Sequence, residues 1–194
     1  SKKISSNLVL FVDEKFNISG LKKHISNSEF AYIFDLLKTS NLKKDLLFFE
    51  INSKKTIFLA SIKKDLKTSD IESLGAKFHG YIDYDKKNDY FVNSDTINSK
   101  IKNFVGYFLH GLKLKSYEFN TYKSKKNKKP ISINVIGNEN KVSTQDQLRF
   151  RALEKGTFFA RDLVSEPGNV LHPDEYAKRI NSLKKIGLKI NIYD

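Results

Sequence analysis

The sequence contains no cysteine. Disulfides and thiolate zinc sites are therefore excluded, which fits a reducing compartment. No apolar run approaches the roughly 18–20 residues of a bilayer-spanning helix. The first residues lack the basic start, apolar middle and small-residue cleavage site of a signal peptide. The expectation is a soluble, cytoplasmic protein with no membrane partner. Glycines are few and scattered, nine in all, so no clustered-glycine loop can bring backbone N–H groups around a phosphate. There is no Gly-x-Ser-x-Gly turn to expose a nucleophilic serine. The four histidines, His24, His79, His110 and His172, never fall in a His-x-x-x-His spacing, and are read as polar or cap positions, with no metal site. Arginine is scarce too: only Arg149, Arg151, Arg161 and Arg179 stand among 35 basic residues.

What is present is an aromatic-rich, strongly basic chain. Hydrophobic residues make up 39%, including fifteen Phe and nine Tyr, enough for a packed core and against disorder. At 194 residues there is room for one full domain with something left over. The net charge of +13 raises nucleic-acid binding as an alternative function. Lysine supplies most of that charge and lacks the planar fork that makes arginine the usual base and phosphate reader. The charges are therefore read mainly as solvated faces. The one dense cluster is Lys123, Lys125, Lys126, Lys128 and Lys129, the candidate contact for DNA or another polyanion. Tyr117, Phe119 and Tyr122 lie just before it and could stack bases. The simpler account puts those aromatics on the core face of a strand. The acidic pairs Asp13/Glu14 and Asp83/Asp85 are read as solvated ion-pairing groups.

Periodicity alternates strands with helices, which implies an α/β class. Strands are expected over 4–12, 46–51, 56–62, 80–84, 90–92, 117–122, 131–136 and 188–193. Capping boxes at Ser26/Glu29, Ser69/Glu72 and Thr144/Gln147 open helices. Ser94 or Asp95 is expected to cap a long helix whose stripe is Ile97, Ile101, Phe104, Phe108 and Leu112. A last helix runs over 173–186, with Pro173 in its first turn and Gly187 at its end.

The segment 160–174 reads as a helix end, a turn and a new helix start. Its Arg161-Asp162-Leu163-Val164-x-x-Pro167-x-Asn169, followed by Pro173, resembles the junction motif of the two-metal leucyl (cytosol) aminopeptidases. Tyr117-x-Phe119-x-x-Tyr122-Lys123-Ser124 is similar to a second segment of that family, in the family's order. Ser165 and Gly168 stand where the family more often has Asn and Ala. The resemblance implies a macro-domain-like N-terminal domain, a mixed β-sheet flanked by helices, over 1–142. It implies a linker helix over 143–166 and the beginning of a truncated catalytic domain, an orphan helix and strand, over 167–194. It further implies that the intact enzyme releases N-terminal residues, preferably Leu, from peptide substrates with two divalent ions (Mn²⁺ or Zn²⁺), as a homo-hexamer. The family's metal-binding segment is not found in this sequence, so no catalytic or metal residue is expected in the chain. It should be inactive alone, with its own catalytic domain as its partner and a role in shaping the hexamer. A macro-like nucleotide site is a third reading, weakened by the missing glycine-rich loops.

Overall fold

The continuous apolar runs of the N-terminal half become the middle of a sheet buried on both faces. The structure is a computed structural model and describes residues 6–82, 88–124 and 131–193. Five strands, β1 (Asn7–Asp13), β2 (Leu46–Asn52), β3 (Lys55–Ile62), β4 (Asp89–Asn93) and β5 (Ser132–Ile136), lie in the order β2-β3-β1-β4-β5. The β2–β3 pair is an antiparallel hairpin; all other neighbours are parallel, so the sheet is mixed. All of β3 and nearly all of β1 are buried, as strands covered on both faces must be.

Period-two alternation sends successive side chains of β1 to opposite layers. Val9 and Phe11 meet Phe78 and Leu74 of α2 (Thr68–Ile82) and Phe104 and Phe108 of α3 (Phe104–Lys115). Leu8, Leu10 and Val12 face the other layer, with Leu21, Ile25, and Ile33 and Leu37 of α1 (Asn27–Leu37). Edge-to-face rings knit the first layer, with Phe11 at 5.3 Å from Phe104 and 5.4 Å from Phe108. Helices α2 and α3 touch backbone to backbone. A Cβ on Gly75 would sit 1.9 Å from the Phe108 carbonyl oxygen, and one on Gly111 would sit 1.9 Å from that of Glu72. Only glycine permits that approach.

Ser26/Glu29 forms the expected capping box on α1. The other two expected boxes shift. Asp70 accepts from the Lys67 N–H at the start of α2, and Ser143, one residue early, caps α4 (Thr144–Ser165) by accepting from Asp146 N–H. Residues 80–84 were expected as a strand; α2 instead continues to Ile82, because Ile71, Leu74, Phe78 and Ile82 keep one helical face on the sheet. The turn expected at 85–89 and the pair Asp83/Asp85 lie largely outside the described residues. The long helix expected from 97 begins only at Phe104. Asn103, with φ 59°, takes a left-handed conformation that breaks the helix, and Ile97 reaches the core from a loop.

Two expected strands do not form. Residues 117–122 make no ladder, since their polar groups bond to α4 and β5 already pairs with β4. Residues 188–193 make none either, because a strand needs a paired neighbour and none lies beside them among the described residues. The terminal helix expected over 173–186 splits into α5 (Pro173–Asn181) and a 3₁₀ turn, Ser182–Ile186, closed by Gly187 at φ 92°.

Candidate functional site at the helix junction

Helix α4 leaves the sheet domain through three anchors. Phe150 inserts against Gly106 of α3, where a side chain would clash with the Phe150 ring at 2.4 Å. One turn further on, Glu154 meets the buried His110 Nδ1 at 3.1 Å, and His110 lies against the Phe150 ring at 5.2 Å. Then Arg161 donates to the Leu114 carbonyl at 2.6 Å and lies over the Tyr117 ring at 5.5 Å. A groove of about 990 Å³ runs beneath α4 along β5, with Arg151, Glu154 and Ile133 on its walls.

The junction itself is a polar knot. The Tyr117 hydroxyl donates to Asp162 at 2.8 Å, and the Tyr122 hydroxyl donates to Glu166. Arg179 of α5 donates to Glu166 at 2.9 Å and to Glu175 at 3.1 Å. The hydroxyl bond from Tyr122, then the Arg179 guanidinium, hold the Glu166 carboxyl below its usual range. The same bond to Glu166 raises the Tyr122 phenol. The knot joins the 117–122 segment, the end of α4 and the start of α5, where His172 serves as N-cap and Pro173 enters the first turn.

Outside the knot this region is apolar and uncovered. Val164 is 87% exposed, Ile186 74% and Tyr193 87%, with Leu148, Leu153 and Ile192 also exposed. Exposed apolar side chains this large and this near one another are unusual on the surface of a closed domain.

Of the lysines singled out, Lys123 is exposed, and Lys125, Lys126, Lys128 and Lys129 lie outside the described residues. The aromatics beside them do not sit in a strand. Tyr117 packs on Phe158 of α4 with ring centres 5.2 Å apart, and Phe119 packs on Tyr122 at 5.8 Å. Asp13 accepts from the backbone N–H of Lys15 and Asn17, a turn-forming role. Among the described residues, no three His, Asp or Glu side chains gather in a way that could hold a metal ion. Among the described residues no helix is long and apolar enough to cross a membrane.

Sequence reasoning missed three pairs: His110–Glu154, Glu166–Arg179 and His24–Asn93. In the first and last the partners are 44 and 69 residues apart, so no local pattern reveals them. Only the family's junction motif pointed at the neighbourhood of the second.

At the carboxyl ends of β1 and β3, and just past β4, a cleft of about 710 Å³ is lined by Asp13, Lys23, His24, Lys64, Asp95 and Lys100, among others. The Asn93 side-chain oxygen accepts from Asp95 N–H at 3.0 Å, so its amide nitrogen faces His24 Nδ1 at 3.0 Å. Nδ1 is thus the acceptor and Nε2 carries the proton. That Nε2–H is buried with no hydrogen-bond partner among the described residues, a condition costing about 1–3 kcal/mol. Burial, then the nearby Lys23, hold His24 below the usual imidazole range, though Asp95 opposes this. The carboxyl of Asp95 is itself held low by N–H bonds from Glu139 and Asn138.

No family model matches the chain. It is similar to probable cytosol aminopeptidases. The protein of Methylobacterium radiotolerans is 34% identical over 95 residues, 46% of this chain and 19% of that protein. The Clostridium perfringens protein is 26% identical over 195 residues, 94% of this chain and 37% of that protein. The chain thus spans well under half the length of the curated relatives it matches. Among solved structures, the bottromycin maturation enzyme BotP superposes with a TM-score of 0.69 at 13% identity, covering 98% of this chain and 40% of that one. A variant of tomato leucine aminopeptidase superposes with a TM-score of 0.69 at 16% identity, covering 95% and 40%. At such identities these two show the fold alone: an α/β domain with a mixed sheet flanked by helices. The relatives by sequence and the neighbours by fold converge: the chain is similar to the N-terminal region of the leucyl (cytosol) aminopeptidases.

Proposed function

We propose that this chain is the non-catalytic N-terminal part of a metal-dependent aminopeptidase. Residues 1–142 form its sheet domain, 143–166 its linker helix and 167–194 the start of its catalytic part. The intact protein removes N-terminal residues from peptides, with leucine preferred, using two divalent ions held outside this chain. BotP has also been solved in complex with Mn, which supports manganese as one such ion. The sheet domain presents α4 and α5 so that the catalytic part packs on their uncovered face, and it helps shape a cytoplasmic hexamer. The observation that carries this reading is the set of large apolar side chains on and beyond α4, Val164, Ile186 and Tyr193 foremost, which stay exposed among the described residues while α4 is anchored at its other end by buried contacts.

The test has two arms. The purified 194-residue chain is assayed with leucyl anilide and added Mn²⁺ or Zn²⁺; no turnover above the metal-only blank is expected. The remainder of the protein is then expressed separately and mixed with it; a stoichiometric complex is expected by light scattering. Turnover by the chain alone, or failure of the two parts to associate, overturns the proposal.

A further inference from the structure

The cleft at the carboxyl ends of the central strands has a ligand site's position and chemistry, and nothing in the aminopeptidase reading uses it. In open α/β sheets, ligands settle beyond the carboxyl ends of strands where connections leave in opposite directions. Here the chain leaves β1 to return as β3 on one side, then crosses to place β4 on the other. The cleft lies over that divide, and its volume of about 710 Å³ suits a small molecule. Its floor is rigid: Thr96 Oγ1 accepts from Phe11 N–H at 2.9 Å and donates to the Asn93 carbonyl at 2.8 Å.

The charge on the walls favours an anion. Lys23, Lys63, Lys64 and Lys100 face two aspartates, Asp13 and Asp95. Both aspartates already accept two backbone N–H bonds each, which spreads their charge into the protein. Lys63 is engaged by Asp45 at 2.7 Å, which leaves Lys23, Lys64 and Lys100 as exposed cations. His24 lines the cleft as well, and its buried Nε2–H has no acceptor among the described residues. We infer that this cleft binds a small phosphate-bearing anion, gripped by the lysine side chains Lys23, Lys64 and Lys100, with no glycine-rich backbone loop involved. A site of this kind differs from P-loop and dinucleotide sites in taking its positive field from flexible ammonium groups.

Pyrophosphate is the probe, titrated into the 194-residue chain and followed by ¹H–¹⁵N spectra. Saturable shifts confined to residues 13–24, 62–66 and 95–101 are expected, together with movement of the His24 ring signals. The double variant Lys64→Glu/Lys100→Glu should lose affinity by about tenfold or more. Lys184→Glu/Lys185→Glu, with the same change in net charge on the terminal 3₁₀ turn, should change it by less than about twofold. Circular dichroism confirms that both variants fold. ADP forms a second arm: tighter binding than pyrophosphate identifies a nucleotide ligand, and equal binding identifies the phosphates alone as the recognised group. Shifts scattered over the lysine-rich surface, equal losses in the two double variants, or no saturation would overturn the inference. Peptidase assays have no bearing on this outcome, so it stands or falls separately from the proposed function.

Discussion

The sheet domain and the C-terminal arm follow opposite rules. Among the described residues, every buried hydrophobic side chain but Phe150 belongs to residues 8–112, with Ile131, Ile133, Ile136 and Val142 packed partly buried against that core. The domain closes two apolar layers around a sheet. The arm, α4 and everything after it, holds its shape through long helix geometry, one inserted ring and a polar knot. The first region carries its own stability, while the second borrows it and keeps its apolar side chains facing out. The domain buries its hydrophobes on itself, whereas the arm leaves its own exposed, as the proposed docking of the catalytic part requires.

The sharpest way to break the domain is to separate α2 from α3. Gly111→Ala places a methyl 1.9 Å from the Glu72 carbonyl oxygen, which backbone cannot yield without moving a helix. The expected loss is about 3 kcal/mol, read as a lower urea midpoint with an unchanged slope. A neutral outcome would mean that the helices cross more loosely than described. Glu29→Gln ranks next. Glu29 pairs with the buried Lys55 at 2.7 Å while its other oxygen accepts from Ser26 N–H. Burial alone would raise its carboxyl, but Lys55 and Ser26 together outweigh that and hold it low. The amide keeps the cap and removes the charge, leaving the Lys55 ammonium poorly compensated, at a cost of about 2 kcal/mol in the same unfolding assay. Both effects should be global, because both sites lie inside the closed unit.

The contrast between the regions also explains what sequence could show. Leu8–Val12, the hairpin strands and the α1 capping box were legible because local pattern and burial agree there. Residues 80–84 misled because three alternating residues look the same at the end of a helix as in a strand. Asn103 interrupted a clean apolar stripe, which periodicity cannot register. Tyr117, Phe119 and Tyr122 looked like a strand face because spacing does not reveal that α4, forty residues later, takes the Tyr117 ring and hydroxyl, that Glu166 at its end takes the Tyr122 hydroxyl, and that Phe119 packs on Tyr122. The helix end, turn and new helix of 160–174 were legible, yet the Glu166–Arg179 pairing was not, since a local pattern names residues without naming their partners. The strand-end cleft was hidden entirely: His24, Lys64 and Asp95 converge only once the parallel order is known.

Acid should loosen the arm before the domain opens. Glu166 is held below its usual value of 4.5 in the folded chain, so its contribution is complete above that value and is lost as pH falls through the lower folded one. Protection factors of the α5 amides, which remove the intrinsic pH dependence of exchange, should therefore fall on acidification while those of β1 and β3 hold. Glu166→Gln should leave α5 protection low and nearly independent of pH. If α5 and β3 lose protection together in the native chain, the arm is not a separate unit.

The smallest expected effect is the most telling. Val164 is 87% exposed, so Val164→Asp removes almost no packing from this chain, and its stability should change by less than about 0.5 kcal/mol. The same substitution puts a charge in the middle of the face proposed to meet the catalytic part, where burial without a partner is costly. Association with the separately expressed remainder should weaken by about tenfold or more, since even a modest desolvation penalty reaches that factor. Stability and docking would then respond in opposite proportion to Gly111→Ala, which should cripple folding first. If Val164→Asp unfolded the chain, its exposed apolar residues would be part of an intrinsic core. If it left association untouched, the docking face would have to lie elsewhere on the arm.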